Sequence, residues 1–202
     1  MRSLACIICL ATSTAFAQSW QVKNHPNSTR KAILMDSVFI SEYVYTEVSE
    51  LSEDKAYVSR GELYAYINKG GEELTPYVFA VASNFTDGYA IVGDSNAQSV
   101  INDQLQLIGP LKYFRARLPV QGLIVVQSFS GTWGVYDVAG NIKLPFIYDL
   151  PPNIVNRDCI IVRKNEDYGV VNDCNEIIFN CAYQYISTDG LGYRQGNYLR
   201  LF

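Results

Sequence analysis

The chain has 202 residues, of which 49% are hydrophobic, 13% aromatic and 18% charged. A chain this rich in apolar residues can offset the entropy lost on ordering, so the composition excludes a disordered protein. The formal charge of −4 at pH 7 excludes the basic surface that nucleic-acid or anionic-membrane binding requires. A single His leaves few of the usual acid–base and metal-binding options, while 15 Tyr, 14 Gly and 7 Pro favour strands and turns.

Residues 1–17 have the pattern of a secretory signal peptide. Arg2 provides a short positive region, residues 4–10 an apolar core, and residues 15–17 a small-x-small cleavage site. The apolar run is too short to cross a bilayer as a helix, and no later window is long enough. We therefore predict cleavage after Ala17 and export to the periplasm, the extracellular space or the cell surface. The alternative is a buried N-terminal strand or helix.

An internal repeat organises the rest of the chain. Residues 63–68, 97–102, 132–137 and 167–172 align with one another, which gives a period of about 35 residues. An apolar run precedes each segment, a shorter apolar or Pro-bearing run follows it, and an aromatic residue then begins the next unit. The aromatic residues predicted to open units are Tyr45, Tyr77, Tyr113, Tyr148 and Tyr183.

Each unit is predicted to be a three-stranded antiparallel meander. Asn and Asp stand in the turns, where their side chains bond the local backbone. Gly134 and Gly169 lie inside predicted strands, where they indicate a bulge or a close approach of another backbone. Such units must bury their faces on one another, and end units of repeat arrays are often incomplete.

The sequence therefore predicts an all-β fold of stacked meanders in an open twisted array, with a closed small β-propeller as the alternative. Residues 18–31 are polar and are predicted to form a flexible leader, followed by one repeat domain over residues 32–202. Its predicted units, in chain order, are 32–44 (partial), 45–76, 77–112, 113–147, 148–182 and 183–202 (partial).

Three cysteines remain beyond the signal segment: Cys159, Cys174 and Cys181. An oxidising compartment would allow one disulfide and one free thiol, but three Cys do not make a disulfide framework and their spacing matches no zinc site. The predicted register places Cys159 and Cys181 near opposite ends of their strands, so a bridge between them would be strained. We expect partly buried structural thiols, and pairing among the three stays open.

Residues 132–145, with Tyr148 and Asp149 after them, resemble the WG-repeat (KWG) family. Residues 167–172 resemble it with Tyr168 in place of Trp, while residues 64–65 and 98–99 occupy the same place without the aromatic–Gly pair. The resemblance implies a mostly bacterial, often exported, β-rich repeat protein whose role is interaction rather than a common activity. It implies that Trp-Gly is a packing signature and transfers no catalytic residue.

Motifs that carry chemistry are few. The sequence contains no nucleophile elbow, P-loop, HExxH or dinucleotide fingerprint. A Ser–His–Asp arrangement would have to use His25, in the predicted leader. Pairs of carboxylates that a glycan hydrolase would need are present, but all lie in or beside predicted turns and are expected to be solvated. These candidates are Glu50, Glu53, Asp54, Glu72, Glu73, Asp137 and Asp149.

One basic and aromatic stretch follows Pro110. Lys112, Arg115 and Arg117 surround Tyr113 and Phe114. A base or an anionic sugar could stack on Tyr113 with an arginine nearby. Alternating arginines such as Arg115 and Arg117 more often mark the solvent face of a strand. The turns carry no calcium-loop motif, and we expect no metal, no cofactor and no nucleic-acid partner.

Together these features predict an exported, non-catalytic binding or scaffold module that presents a repeat surface to a protein or to a cell-envelope glycan. The alternatives are a carboxylate-based glycan hydrolase and a structural subunit of an envelope assembly. The sequence assigns no binding residue and no oligomeric state.

Overall fold

The computed structural model describes residues 19–202, except for the side chains of residues 110–112. The predicted signal segment lies outside the described residues. Within them, no helix is both long and apolar enough to cross a membrane. The strands, in chain order, are β1 Trp20–Asn24, β2 Lys31–Met35, β3 Val38–Phe39, β4 Glu47–Val48, β5 Lys55–Ser59, β6 Tyr64–Asn68, β7 Val81–Ala82, β8 Tyr89–Gly93, β9 Gln98–Asn102, β10 Leu107–Tyr113, β11 Arg115–Ala116, β12 Leu123–Gln127, β13 Trp133–Asp137, β14 Ile142–Tyr148, β15 Asn153–Asn156, β16 Cys159–Lys164, β17 Asp167–Val171, β18 Ile177–Tyr183, β19 Tyr185–Ile186, β20 Leu191–Arg194 and β21 Asn197–Arg200.

These strands form six small antiparallel sheets, each built from strands consecutive in the chain. We number them sheet 1 (β1–β3), sheet 2 (β4–β6), sheet 3 (β7–β10), sheet 4 (β11–β14), sheet 5 (β15–β18) and sheet 6 (β19–β21). The all-β repeat prediction is confirmed. The predicted three-stranded unit acquires a short outer strand, such as β7 or β11, which only a few backbone hydrogen bonds define.

The turn between the last two long strands of each unit repeats in detail. The side-chain oxygen of Asn68 accepts hydrogen bonds from the backbone N–H groups of Gly70 and Glu72, at 2.9 and 3.0 Å. Asn172 accepts in the same way from Cys174 and Glu176, at 3.0 and 2.8 Å. The Asn and Asp residues that mark the repeat period therefore fix the turn, as the sequence predicts.

The strand after this turn is bulged opposite one small residue. In sheet 4 Trp133 pairs with Tyr148 and Val135 pairs with Leu144, so residues 145–147 all face Gly134. In sheet 5 Tyr168 pairs with Tyr183 and Val170 with Phe179, which places residues 180–182 opposite Gly169. The bulge inferred from these two glycines is confirmed, and each glycine is buried beneath it.

Other sheets keep a small residue at this position without the Trp-Gly pair. The residue is Ala32 in sheet 1, Ala65 in sheet 2 and Ser99 in sheet 3, and all three are buried. In sheet 6, where β21 has no following strand among the described residues, the matching register position is Leu199, opposite Gly192. Leu199 is about half exposed, so the size restriction is absent where the bulged strand is absent.

The bulge ends at an aromatic residue that belongs to the sheet it completes. Tyr113, Tyr148 and Tyr183 are the last residues of β10, β14 and β18, so they close one sheet rather than open the next. The sequence alignment placed Tyr77 in this series, but the residue that pairs with Tyr64 is Phe79. Phe79 follows Tyr64 by 15 residues, the same spacing that separates Trp133 from Tyr148. The alignment missed Phe79 because it matched tyrosines rather than this spacing.

Five apolar clusters hold the six sheets together, one at each junction between consecutive sheets. Within sheet 5, Ile160 and Val162 pack toward sheet 4, while Cys159 and Ile161 pack toward sheet 6. Alternate residues of one strand thus serve two junctions, as the period of two requires. No cluster joins sheet 6 to sheet 1 within residues 19–202, and the predicted open array stands.

The predicted leader contains a strand. β1 pairs along its whole length with β2, from Trp20 opposite Met35 to Asn24 opposite Lys31, and the Trp20 indole donates to the carbonyl of Ser49 at 3.2 Å. The polar composition of residues 18–31 concealed this strand because most of β1 is exposed on an edge.

The three cysteines are free, and Cys159 and Cys181 lie on opposite faces of sheet 5. Cys159 belongs to the cluster toward sheet 6, whereas Cys181 packs against the cluster toward sheet 4. Burial is the main cause that raises the pKa of both thiols above the ordinary value. They are therefore less reactive than exposed thiols, as expected of structural cysteines.

The bulge makes a direct prediction for Gly169. A Cβ atom there would lie 2.7 Å from the carbonyl oxygen of Phe179 and 2.8 Å from the backbone nitrogen of Cys181. We expect Gly169→Ala to lower the free energy of unfolding by about 1–3 kcal/mol, because the backbone must shift. The measurement is urea unfolding at equilibrium.

The matched control is Leu199→Ala, at the same register position of sheet 6. Because Leu199 is half exposed and faces no bulge, we expect a change below about 1 kcal/mol. Equal unfolding free energies for Gly169→Ala and the unmodified protein would contradict the tight approach.

Candidate binding surface

The carboxylates considered for catalysis lie in or beside turns, and most of them bond to the backbone or to a neighbouring side chain. Oδ1 of Asp137 accepts hydrogen bonds from the backbone N–H groups of Ala139 and Asn141, at 3.0 and 2.8 Å. The side-chain hydrogen bond from Asn141 is the main cause that lowers the pKa of Asp137. A glycan hydrolase needs one carboxyl group with a raised pKa, so this shift is in the opposite direction.

Other carboxylates of the set have structural partners as well. Glu53 accepts from the backbone N–H of Gly88 at 2.9 Å, which ties two neighbouring turns together. Asp149 accepts from the backbone N–H of Glu166 at 3.1 Å. Asp54, Glu72 and Glu73 are engaged by Lys69, Asn68 and Arg60 respectively. Glu50 is exposed.

His25 lies in the loop between β1 and β2. Its Nδ1 accepts a hydrogen bond from the backbone N–H of Asn27 at 3.1 Å, and its ring meets the ring of Tyr43 edge-on at 5.0 Å. These contacts are local, and the residues described include no group of three or more His, Cys, Asp or Glu side chains that could hold a metal ion.

The alternation of side chains along the strand separates the residues of the basic and aromatic stretch, because some face the core and others face solvent. Arg115 in β11 and Arg117 just after it are exposed, with Ala116 buried between them. The Arg115 guanidinium lies 5.6 Å from the ring centre of Phe114, which in turn meets Phe129 edge-on at 6.3 Å. Tyr113 is buried and the side chain of residue 112 is outside the description, so the predicted group is only partly brought together.

Arginines also stack on the aromatic residue of the Trp-Gly position. Arg117 lies 5.5 Å from the ring centre of Trp133, and Arg163 lies 5.8 Å from that of Tyr168. Trp133 is buried in the cluster between sheets 4 and 5, in keeping with a packing role. Both pairs place a cation over an aromatic ring, and Arg163 and Tyr168 also line a groove between sheets 5 and 6.

A row of exposed apolar residues was missed by the sequence analysis. Leu107, Ile142 and Ile177 begin β10, β14 and β18 and pair with Ile101, Tyr136 and Val171. They recur at the repeat period in sheets 3, 4 and 5, and their exposed fractions are 48%, 61% and 66%. We call these three residues the apolar row. Marking which side of each strand faces solvent would have revealed it.

The comparison with protein families bears on these repeats. Residues 64–94 and 133–166 match the family model described as "WG containing repeat". The resemblance to this family is therefore confirmed for these two segments. The second match begins at Trp133, the residue on which the resemblance mainly rests, and the first begins at Tyr64, where Ala65 replaces glycine. No curated protein matches the chain.

Two solved structures are similar to this chain over most of its length. The computationally designed Ika8 protein has a TM-score of 0.41 and 11% sequence identity, over 92% of this chain and 71% of that chain. BamB from Moraxella catarrhalis has a TM-score of 0.43 and 13% identity, over 90% of this chain and 69% of that chain.

The turn chemistry of Asp137 gives a testable pH dependence. Because the pKa of Asp137 is lower in the folded protein, its carboxylate stabilises the fold above its ordinary pKa, and that contribution is lost as pH falls through the folded value. Asn stands at the same position in three other turns, so Asp137→Asn should keep the turn and lose this pH dependence.

The measurement is urea unfolding of both proteins between pH 7 and about pH 3. We expect the protein with Asp137 to lose stability relative to Asp137→Asn as the pH falls. Asp137→Ala should cost about 0.5–1.5 kcal/mol at pH 7, because it removes the acceptor from two backbone N–H groups. If the free energies of unfolding of the unmodified protein and of Asp137→Asn changed with pH in the same way, the result would contradict this account.

Proposed function

We propose that the chain is an exported, non-catalytic binding or scaffold module that presents its repeat surface to a protein or to a cell-envelope glycan. The observation that carries this proposal is the apolar row. Isolated exposed aliphatic residues are ordinary, but here they recur at one register position in three consecutive sheets. A repeated position of this kind suits an extended partner that touches several units.

The chemistry of the apolar row favours a protein as its partner. Leu107, Ile142 and Ile177 are aliphatic, and apolar contact is non-directional and gains from burying area. The equivalent position in sheet 2 is Glu73, which bridges to Arg60 at 2.8 Å, so the row ends there. The partner would therefore contact sheets 3, 4 and 5 and leave sheet 2 free.

The strands that carry the row are also the edges of their sheets. β10, β14 and β18 each stand last in their sheet order, so one side of their backbone is unpaired within the sheet. Pro145 in β14 removes a backbone donor and the bulge distorts the edge, which discourages uncontrolled pairing. Side-chain contact is accordingly the mode of binding that we propose.

Export is the second part of the proposal, and the pattern of residues 1–17 supports it. We predict that the protein recovered from its native host begins at Gln18, because cleavage follows Ala17. Intact-mass measurement on the secreted or periplasmic fraction checks this. A protein that retains residues 1–17 in the soluble intracellular fraction would contradict export.

The apolar row is tested with two double variants of the full chain. Ile142→Ser with Ile177→Ser removes two residues of the row, and Val38→Ser with Val120→Ser removes two aliphatic residues of similar exposure elsewhere (65% and 48%). Both variants should fold, because the altered side chains face solvent. The measurement is quantitative mass spectrometry of proteins captured from envelope extract.

We expect the unmodified chain and the control to capture the same protein, and the row variant to capture at least about tenfold less, since two interface truncations each cost about 1 kcal/mol or more. Equal capture by the row variant and the control, or no capture above a blank matrix, would contradict the proposal.

A further inference from the structure

We propose that the groove between sheets 5 and 6 is a binding site for a carboxylate-bearing pyranose, the chemical class of the uronic acids. The groove has a volume of about 430 Å³ and is lined by side chains of both sheets, among them Leu150, Asn153, Arg163, Tyr168 and Tyr185. That volume lies within the range of small-ligand sites. The inference concerns a surface other than the apolar row and goes beyond the proposed function.

Arg163 supplies the charge recognition. Its Nε donates to the backbone carbonyl of Glu166 at 3.1 Å and its guanidinium lies 5.8 Å from the ring centre of Tyr168, so the side chain is held on two sides. No described carboxylate forms an ion pair with it, and no Asp or Glu is among the residues lining the groove. A positioned, unpaired guanidinium suits a carboxylate, which it can bind through two parallel hydrogen bonds.

The other lining residues suit a sugar ring. Tyr185 is exposed, and together with Leu150 it offers an apolar surface for the C–H face of a pyranose. The side chains of Asn153 and Thr188 are exposed and make no hydrogen bond to other described residues, so they can bond sugar hydroxyls. One cation, an apolar platform and free polar groups together match an acidic sugar better than a neutral sugar or an inorganic anion.

A comparable groove shows why this one is chosen. The groove lined by Arg60, Glu62 and Tyr77 also has an arginine beside an aromatic ring, at 5.0 Å from the ring centre of Tyr77. There, however, Arg60 is paired with Glu73 at 2.8 Å, and Glu62 lines the groove. Its charge is already balanced, so it lacks the free cation that an anionic ligand needs.

The test measures binding of glucuronate to the full chain by NMR titration, with glucose and acetate as probes that lack the carboxylate or the ring. We expect glucuronate to bind at least about tenfold more tightly than either probe, because only it uses both halves of the site. A glucuronate oligomer tested in parallel distinguishes a polymer ligand, which would bind more tightly than the monomer, from a free sugar, which would not.

Two variants locate the site. Arg163→Gln and Tyr185→Ser should each weaken glucuronate binding about tenfold or more, and the exposed Tyr185 can be replaced without loss of core packing. Arg115→Gln, which removes an exposed arginine stacked on Phe114 outside the groove, should bind as the unmodified chain does. Glucuronate binding no tighter than glucose, or equal binding by Arg163→Gln and Arg115→Gln, would overturn the proposal.

The outcome is separable from that of the proposed function. The double variant Ile142→Ser with Ile177→Ser leaves the groove lining unchanged, so it should bind glucuronate as tightly as the unmodified chain. Loss of protein capture with intact glucuronate binding would support both proposals, since each surface would then act alone. Loss of glucuronate binding in this variant would count against the groove as the site.

Discussion

The architecture depends on the close approach of a bulged strand to one small residue, in every unit that has such a strand. Three backbone residues of β14 or β18 face a single glycine, and a Cβ atom at Gly169 would lie within 3 Å of backbone atoms. The bulge returns the chain to an aromatic residue that pairs with the Trp-Gly strand and fills the junction between sheets. The short distances leave no room for a larger residue at Gly169, whereas Ala65 and Ser99 hold the same position in sheets 2 and 3.

Packing between sheets follows from this arrangement. Because each long strand sends alternate side chains to its two faces, one sheet serves the cluster before it and the cluster after it. Each unit therefore needs neighbours to bury both faces, which is the usual condition of repeat proteins. The same alternation leaves the beginning of the bulged strand in solvent, where the apolar row and the openings between sheets are formed.

Much of this fold could be predicted from the sequence because the repeat period and the Asn/Asp turns are local signals. Gly134 and Gly169 indicated the bulge before its geometry was known. Two features escaped: β1, whose exposed edge residues resemble a polar loop, and Phe79, which holds the closing aromatic position at the usual spacing but is not a tyrosine. The groove between sheets 5 and 6 could not be predicted, because Arg163 and Tyr185 come together only through the stacking of separate sheets.

A crystal structure of the chain tests the central claim most directly, through the register of the bulged strands. The account predicts that Trp133 lies opposite Tyr148 and Val135 opposite Leu144, with the intervening residues folded over Gly134. It predicts the same arrangement around Gly169. An unbroken ladder between β13 and β14, with one residue opposite Gly134 and open space above it, would contradict the claim that a bulged strand requires a small residue at this position.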